Sequence, residues 1–309
     1  MRELPLLIAI AGPTGSGKSS LAIHLARRFG GEVLNCDSVQ VYKYFNIGTA
    51  KLPETERQGI PHHLIDALDP DQVFTAGDFA RRGREILREI AGRGHLPLVA
   101  GGTGFYLRAL ITGLAPGPQR DENLRARLAL REKKRPGSLH CLLRRFDPVT
   151  APRIHANDVP KVIRALEICF AAGKPAAEVF SVGRDALEGF RVVKFGLFPE
   201  REELYRRLDA RLESMFAGGL QNEVQSILDR GFPETCRGFE SIGYKQALQL
   251  LKNELTLKEA LFYARRDTRH YAKRQMTWFR QEPGVEVLRG FGDDPAILRL
   301  AEARVGAAS

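Results

Sequence analysis

Short apolar runs alternate with amphipathic stretches through the first third of the chain. The apolar runs predict buried strands at residues 6–11, 32–36 and 96–100. Stretches with helical spacing follow them and predict helices at residues 18–29, 75–93 and 103–112. Residues 43–72 lack a regular period and predict a long loop, in which the adjacent His62 and His63 would point apart. Because parallel strands need helical crossovers, this alternation predicts an α/β fold with a parallel sheet flanked by helices.

The rest of the chain is mostly helical in its pattern. A break rich in proline and glycine occupies residues 113–120, and residues 192–198 have the character of a strand that rejoins the sheet. Helical spacing marks five further segments, at residues 157–173, 200–217, 220–230, 242–251 and 256–281. We therefore predict a helical insertion domain at residues 118–190. The catalytic core is predicted to consist of residues 1–117 and 191–309.

The composition is that of a globular protein without a membrane anchor. Apolar residues make up 43% and charged residues 27% of the 309 positions, which is ample for a core. The apolar run at residues 4–11 is too short to cross a bilayer, and it lacks a basic flank or a small-residue cleavage site. Four well-separated cysteines indicate neither a zinc site nor a disulfide framework. We expect a cytoplasmic protein that acts as a monomer.

The net charge of +10 is distributed unevenly. Residues 1–116 carry 13 Lys or Arg against 11 Asp or Glu, whereas the rest of the chain carries 34 against 26. Within residues 120–145 there are nine basic residues and three acidic ones. This concentration of the basic excess downstream of residue 116 favours a polyanionic partner, with nucleic acid as the first candidate. Solubility alone is the alternative explanation.

The stretch GPTGSGKS matches the phosphate-binding loop pattern G-x-x-x-x-G-K-[ST] between a predicted strand and a predicted helix. Such a loop directs N–H groups at phosphate oxygens, while Lys18 adds a positive charge and Ser19 can bind Mg²⁺. The predicted phosphate site consists of Gly12, Pro13, Thr14, Gly15, Ser16, Gly17, Lys18 and Ser19. A nucleotide hydrolase normally has an aspartate after a second buried strand, but residues 96–100 lead into Gly101-Gly102-Thr103. The loop alone therefore leaves open whether the phosphate belongs to ATP or to another substrate.

Further polar residues follow the other two predicted strands, so three motifs are expected to meet at the carboxyl edge of the sheet. Asp37 is interpreted as a general base or as a water-mediated Mg²⁺ ligand, and the alternative is a turn-forming cap. Gln40 has a side chain suited to bidentate pairing with an adenine edge. Thr103 follows two glycines at the start of a helix. Its hydroxyl can cap that helix, stabilise negative charge on a phosphate oxygen, or do both.

The helix predicted at residues 256–281 has one broad basic face. This segment contains seven basic residues and only two acidic ones, Glu259 and Asp267. Such an imbalance favours contact with a phosphate backbone over a merely solvated surface. The seven are Lys258, Arg265, Arg266, Arg269, Lys273, Arg274 and Arg280. The opposite, core-facing side is predicted to carry Leu257, Leu261, Ala264, Tyr271 and Trp278.

These segments resemble the tRNA dimethylallyltransferase family, also called tRNA isopentenyltransferases. The matching stretches run in order along almost the whole chain, and the second and the last are the most specific. They are GPTGSGKS (12–19), DSVQVY (37–42), NIGTAK (46–51), PHHLID (61–66), VAGGTGFYLRAL (99–110), RALE (164–167), IGYKQ (242–246) and AKRQMTWFR (272–280). The resemblance implies a P-loop core that binds dimethylallyl diphosphate with Mg²⁺ and hydrolyses no ATP. It further implies transfer of the dimethylallyl group to N6 of the adenosine at tRNA position 37, next to the anticodon.

The resemblance also implies roles for individual residues. Asp37 would be the general base on N6, Thr103 and Lys18 would support the departing diphosphate, and Arg211 would be a further diphosphate contact. Residues around the target base would be Asp37, Ser38, Val39, Gln40 and Thr103. Other tRNA contacts would come from Arg125, Lys161, Arg164, Gly243, Tyr244 and Lys245. The adenine would be flipped out of the anticodon loop into a channel between core and insertion, at a cost of about a few kcal/mol.

Two observations refine this resemblance, and three rival functions stand beside it. Lys161 stands where family members often carry arginine, which argues against a bidentate phosphate contact there. No zinc-finger extension of the kind found in eukaryotic members follows residue 309, so we expect a bacterial-type enzyme. The rivals are an enzyme that prenylates free AMP or ATP, a P-loop small-molecule kinase that turns over ATP, and a non-catalytic RNA-binding protein. The insertion and the basic excess disfavour the first, and the last leaves the P-loop and Asp37 unexplained.

Overall fold

A parallel sheet with helices and a separate helical unit are seen in a computed structural model that describes residues 4–115 and 117–308. The unit that holds the sheet consists of Met1–Leu110 and Glu188–Ser309, and the helical unit of Ile111–Leu187. The helical unit overlaps the predicted insertion at 118–190 but begins and ends a few residues earlier. Residue 116, in the predicted break at 113–120, lies outside the described residues.

In the described residues the sheet has six strands, and every neighbouring pair is parallel. The strands are β1 (Leu6–Ala11), β2 (Gly31–Asn35), β3 (His62–His63), β4 (Leu96–Gly101), β5 (Arg191–Leu197) and β6 (Val285–Leu288). Their order is β3-β2-β4-β1-β5-β6. The predicted α/β fold with a parallel sheet is confirmed. β5 rejoins the sheet beside β1, as its strand character predicts.

Three helices alternate with the first strands. They are α1 (Lys18–Phe29), α2 (Ala76–Gly92) and α3 (Gly104–Ile111), each within one residue of its predicted ends. Thr75 caps the start of α2: its side chain accepts the N–H of Asp78, and the Asp78 side chain accepts the N–H of Thr75. This reciprocal capping satisfies two N–H groups that a helix start leaves without partners.

Apolar side chains between the sheet and its helices form the main core. The inner strands are buried on both faces, which is why they read as continuous apolar runs in the sequence. One cluster joins Ile8 on β1, Leu21 on α1, Leu98 on β4 and Phe195 on β5, all fully buried. Burying each such side chain contributes about 1.5–3 kcal/mol before entropy is counted. This rigid sheet fixes the positions of the loops that leave its carboxyl edge.

The helical unit has a small core of its own. Its helices are α4 (Glu122–Lys134), α5 (Ser138–Phe146), α6 (Val159–Ala172) and α7 (Ala176–Ser181). The core includes Leu139, Leu143, Val162, Leu166 and Ile168. Asp147 is fully buried and accepts the N–H groups of Thr150 (2.8 Å) and Ala177 (3.0 Å), so it links the end of α5 to the start of α7.

Five further helices lie in the described part of the sheet-bearing unit. They are α8 (Arg201–Ala217), α9 (Leu220–Asp229), α10 (Tyr244–Leu251), α11 (Leu257–Arg280) and α12 (Pro295–Ala308). Short 3₁₀ turns lie at Glu54–Glu56, Ala151–Arg153 and Arg237–Glu240. In the part of the chain that the structure describes, no helix is long and apolar enough to cross a membrane.

The sequence pattern does not predict β3, β6, α7 or α12, and the prediction of a loop at His62 and His63 is wrong. These two residues form β3, which pairs with β2 over only two positions and is too short to show a period. Their side chains do point apart: His63 Nε2 lies 2.6 Å from the Glu32 carboxylate, and His62 Nδ1 lies 2.8 Å from the carbonyl of Ile60. The sequence signal for α12 is Pro295 at its first position, where a missing N–H costs nothing.

Candidate functional site

Three loops meet at the carboxyl edge of the sheet. They follow β1, β4 and β2, which are successive neighbours in the sheet. The N–H of Cys36 donates to the carbonyl of Ala100 (2.8 Å), and the N–H of Thr103 donates to the carbonyl of Cys36 (3.3 Å). β1 pairs with β4 up to Ala11 and Gly101, the last residues of the two strands. The predicted convergence of the three motifs is therefore confirmed.

Side chains of the P-loop donate hydrogen bonds to one backbone carbonyl within the same loop. The carbonyl of Pro13 accepts Lys18 Nζ (2.6 Å) and Ser16 Oγ (2.8 Å). Gly17 precedes α1 and offers no side-chain cap, so the first N–H groups of the helix are left for a ligand. Among the described residues, no acceptor bonds the N–H groups of Gly15 and Gly17. These donors and the positive end of the helix dipole suit an anion.

Two cations serve this loop: Lys18 is part of it, and Arg211 lies near it on the wall of the adjoining cavity. Among the described residues neither has an ion-pair partner within contact distance. Burial lowers the pKa of Lys18 to about 8; the Asp37 carboxylate opposes this shift, and the Arg211 guanidinium adds to it. Burial also lowers the pKa of Arg211, again opposed by Asp37. Because partly desolvated cations are costly without a counter-charge, this half-buried pair favours a polyvalent anion as ligand.

Asp37 uses its two carboxylate oxygens differently. Oδ1 accepts the N–H groups of Val39 (2.8 Å) and Gln40 (3.2 Å), which is the turn that the sequence offered as the alternative reading. In the described chain, Oδ2 has no hydrogen-bond donor. The turn thus holds the carboxylate in place and leaves one oxygen able to accept a proton.

Thr103 contacts the Asp37 loop through its hydroxyl. Oγ1 accepts the N–H of Ser38 (3.2 Å) and lies 3.5 Å from Ser38 Oγ. The helix that follows is started by the backbone instead, since the carbonyl of Thr103 accepts the N–H groups of Tyr106 (2.9 Å) and Leu107 (3.1 Å). The hydroxyl is therefore held at the junction of two of the three loops.

A small cavity of about 60 Å³ opens next to the P-loop. It is lined by Thr14, Gly48, Thr49, Leu208, Arg211, Leu212, Met215 and Thr268. One wall is apolar and comes from α8, while Arg211 and the P-loop supply the polar side. The chemistry of this lining suits a ligand with an anionic end and a short apolar chain.

The loop at residues 46–51 borders this cavity and is anchored by Glu223 on α9. The carboxylate accepts the N–H groups of Asn46 (3.2 Å) and Ile47 (3.0 Å). Tyr244 donates its hydroxyl to the same carboxylate and accepts the N–H of Gly48 (3.1 Å). Burial and then the Glu223 charge raise the pKa of Tyr244, so its hydroxyl remains a donor. The sequence does not predict a role for Glu223, whose partners Asn46 and Ile47 lie 177 and 176 positions away in the chain.

The residues predicted to contact tRNA differ in how they are placed. Arg125 (3.1 Å) and Arg164 (2.6 Å) both donate to the buried carboxylate of Glu167 in the helical unit, whereas the exposed Lys161 donates to Asp158 (2.5 Å). Gln40 Nε2 donates to the carbonyl of Thr49 (3.0 Å). Gly243 is buried and Lys245 exposed. Tyr244 is 0% exposed and its side chain is used to anchor a loop, and its contact with tRNA stays a prediction.

α11 is less basic and differently oriented than its sequence predicts. Its buried residues are Ala260, Ala264, Thr268, Ala272, Gln275, Met276 and Phe279. Of the predicted core-facing set only Ala264 is fully buried, and Leu257 is 51% exposed, because small residues let α11 pack closely on its neighbours. Arg265 pairs with Glu213 and Arg269 with Asp209, both on α8, so part of the predicted basic face is neutralised. Lys273 and Arg274 are exposed and have no ion pair in the described chain.

Sequence reasoning missed one residue that connects two of the loops. Gln275 lies within the motif AKRQMTWFR, but no role was predicted for it. In the structure it is 5% exposed and bonds the backbone of both the P-loop and the Gly101-Gly102-Thr103 turn. The sequence did contain a signal for a buried Gln275, since it lies one turn after Ala272 on the helix face that carries the small buried residues Ala264, Thr268 and Ala272.

The residues near the P-loop fit Mg²⁺ only as a partner of a phosphate ligand. No group of three or more His, Cys, Asp or Glu side chains placed to hold a metal occurs in the described ranges. Ser19 is exposed at the start of α1 and has a hydroxyl oxygen, and Asp37 Oδ2 is a second oxygen of the kind that Mg²⁺ prefers. Mg²⁺ usually retains waters and binds through few protein ligands plus substrate phosphates, which matches this sparse set.

Comparison with known proteins identifies the family. A family model described as IPP transferase matches residues 40–282, most of the chain, and this match does not include the P-loop or Asp37. The chain belongs to the IPP transferase family. It is therefore an enzyme, a prenyltransferase, and the resemblance predicted from the sequence is confirmed.

Relatives of known name and structure cover nearly the whole chain. A tRNA dimethylallyltransferase from Solibacter usitatus is 59% identical over 299 residues, which is 97% of each chain. The full-length tRNA isopentenylpyrophosphate transferase from Bacillus halodurans has a TM-score of 0.72 at 38% identity, covering 97% of this chain and 96% of that one. A eukaryotic dimethylallyltransferase acting on tRNA has a TM-score of 0.82 at 31% identity, covering 98% and 78%. The P-loop fold of this IPP transferase is thus shared with structures from both bacteria and eukaryotes.

Proposed function

We propose that this enzyme transfers a dimethylallyl group from dimethylallyl diphosphate to N6 of the adenosine at tRNA position 37, next to the anticodon. The products are N6-dimethylallyladenosine in tRNA and diphosphate. Membership of the IPP transferase family supports this reaction. The observation that carries it is a pair of half-buried cations at the predicted phosphate site, Lys18 within the P-loop and Arg211 on the wall of the cavity next to it.

Asp37 acts as the general base. The N6 lone pair attacks C1 of the donor, the C1–O bond breaks, and its electron pair leaves with the diphosphate. The proton lost from N6 is taken up by Asp37, through the oxygen that the turn leaves without a partner. Such a base contributes typically about 10²–10⁴-fold to the rate.

The leaving diphosphate is stabilised where its charge develops. The P-loop offers the N–H groups of Gly15 and Gly17, the N-terminal end of the α1 dipole and the charge of Lys18, and Arg211 adds a second positive charge beside the loop. Thr103 adds a hydroxyl at the junction of the loops. Ser19 is the residue that would hold Mg²⁺, which when bound supplies further positive charge to the diphosphate oxygens.

The tRNA is held by residues around the site and by basic surfaces. Ser38, Val39 and Gln40 lie next to Asp37 and are proposed to contact the target base, which is flipped from the single-stranded loop. The other proposed contacts are Arg125, Lys161, Arg164, Gly243, Tyr244 and Lys245, together with the exposed cations of α11. We further propose that the protein works in the cytoplasm as a monomer, where tRNA is its partner.

Incubation with labelled dimethylallyl diphosphate and Mg²⁺, with either tRNA or AMP as acceptor, tests this function. Label in tRNA and none in AMP is the expected result. Label in AMP would instead identify an enzyme that prenylates free adenine nucleotides. No label in either, with hydrolysis of added ATP, would contradict the proposed function in favour of a P-loop kinase.

A further inference from the structure

One buried amide joins the P-loop to the turn that holds Thr103. Gln275 Oε1 accepts the N–H of Thr14 (2.9 Å), and Gln275 Nε2 donates to the carbonyl of Gly102 (2.8 Å). One partner can only donate and the other can only accept, so the amide has a single orientation that satisfies both. The side chain therefore works as a spacer of fixed length between the loops that follow β1 and β4.

Glycines on either side of Thr103 receive side chains from α11. A Cβ at Gly102 would lie 2.4 Å from Gln275 Nε2, and a Cβ at Gly104 would lie 2.4 Å from the Trp278 ring. A larger residue at either position would therefore have to displace the Gln275 amide or the Trp278 ring from its place. α11 is thus seated against the backbone immediately before and immediately after Thr103.

The same amide limits which backbone N–H groups of the P-loop can bind a phosphate. The N–H of Thr14 is occupied by Gln275 and is not available to an anion. The N–H groups of Gly15 and Gly17, closer in sequence to Lys18, have no acceptor among the described residues. An anion is therefore drawn to the part of the loop that carries the positive charge.

We propose that Gln275 is a positioning residue for the transfer reaction, resting on the function proposed above. It fixes the P-loop relative to Thr103, so that the diphosphate meets the loop donors and the Thr103 hydroxyl at the same time. Gln275 acts through its bonds to Thr14 and Gly102 and does not contact dimethylallyl diphosphate itself. Because stabilisation of a leaving group depends on donor geometry, a misplacement of about 1 Å costs about 10²-fold in rate.

Gln275→Met tests this role because it retains the length of the side chain and removes both hydrogen bonds. We expect kcat to fall by about tenfold to hundredfold, and binding of Mg²⁺-pyrophosphate, measured by titration calorimetry without tRNA, to weaken. Affinity for tRNA is expected to be unchanged within error. Gln275→Glu is the second variant, in case the first does not fold. It retains an acceptor for Thr14 but presents no donor to Gly102, and kcat is expected to fall here as well.

Gln246→Met is the matched control. Gln246 on α10 is also buried, at 2% exposure, and its amide accepts the N–H of Gly243 (2.8 Å) and donates to Asp267 (3.0 Å). This variant loses two buried bonds as well, so its melting temperature should fall in the same way, but its affinity for Mg²⁺-pyrophosphate should not change. If the control weakens pyrophosphate binding as much as Gln275→Met does, the positioning role is wrong.

Two further outcomes separate this proposal from the function on which it rests. Wild-type kcat and pyrophosphate affinity in both Gln275 variants would overturn the positioning role while transfer to tRNA continues. A wild-type protein that binds pyrophosphate but transfers no dimethylallyl group would contradict the proposed function instead. In that case, pyrophosphate binding by the Gln275 variants would still test whether Gln275 positions the anion site. If the wild-type protein binds no pyrophosphate, the positioning role of Gln275 is wrong.

Discussion

At the scale of single residues, the divided use of the Asp37 carboxylate predicts how its variants behave. Asparagine retains an oxygen that can accept the N–H groups of Val39 and Gln40, but it cannot take up a proton. We therefore expect Asp37→Asn to lower the single-turnover transfer rate by about 10²–10⁴-fold, with tRNA affinity unchanged in a filter-binding assay. Asp37→Ala should lose the turn as well and melt at a lower temperature. Near-normal transfer by Asp37→Asn would mean that the residue only forms the turn.

The role of a single residue could be predicted from the sequence where the residue lies in a recognisable motif. It could not be predicted where the role depends on partners far away in the chain. The P-loop residues, Asp37 and Thr103 all lie in short segments after apolar strands, so the strand pattern alone places them at one edge of the sheet. Gln275 bonds Thr14 across 261 positions of the chain, and no local pattern marks such a contact. The same holds for Tyr244, whose motif predicts a function but whose hydroxyl bonds Glu223 and the N–H of Gly48, both outside that motif.

At the scale of elements, Tyr244 and Glu223 join α10 and α9 to the loop at residues 46–51. Tyr244→Phe removes the hydroxyl and leaves the N–H of Gly48 without its acceptor. We expect a loss of about 1–3 kcal/mol in the free energy of unfolding and a higher KM for dimethylallyl diphosphate, because this loop lines the cavity beside Arg211. Urea titration and steady-state kinetics measure the two effects. Tyr263→Phe is the control, since that hydroxyl bonds none of the described residues. Weaker tRNA binding with an unchanged donor KM would favour the contact predicted from the sequence.

A second junction of elements surrounds Glu32 at the start of β2. Its carboxylate contacts Arg93 after α2 (2.9 Å), His63 on β3 (2.6 Å) and His95 before β4 (2.7 Å). Burial acts to raise the pKa of Glu32, but the bonds from these three groups outweigh it and lower the pKa to about 2. A depressed folded pKa stabilises the fold above the unfolded value of 4.5, and this stabilisation is lost as the pH falls towards 2.

Glu32→Gln should therefore destabilise the fold more at neutral pH than in acid. We expect a loss of about 1–3 kcal/mol in the free energy of unfolding near pH 7, and a smaller loss near pH 3, as measured by urea titration at each pH. Glu89→Gln, on the exposed side of α2, is the control and should change neither value. An equal loss at both pH values would show that the charge on Glu32 contributes nothing.

At the scale of the whole molecule, the sequence predicts where the positive charge lies but not how much of it is free. The excess downstream of residue 116 is read directly from the composition. The carboxylates that neutralise Arg265 and Arg269 come from α8, more than 50 positions away, so counting charges along α11 overstates its basic face. Lys273 and Arg274, one or two turns further along, retain an exposed charge without an ion pair in the described chain. Free and paired cations of one helix can therefore be compared directly.

This comparison predicts how tRNA binding depends on salt. Each cation that contacts a phosphate releases counterions, so removing two should reduce the slope of log K against log salt concentration by about 1 per residue. We expect this reduction for the double variant Lys273→Gln with Arg274→Gln, and weaker tRNA binding at low salt, in filter-binding titrations over a series of salt concentrations. The double variant Arg265→Gln with Arg269→Gln removes the same charge, but Glu213 and Asp209 already neutralise it, so its slope should stay near that of the wild type. Equal slopes for the two double variants would contradict a tRNA contact by the exposed end of α11, since a uniform effect would come from net charge alone.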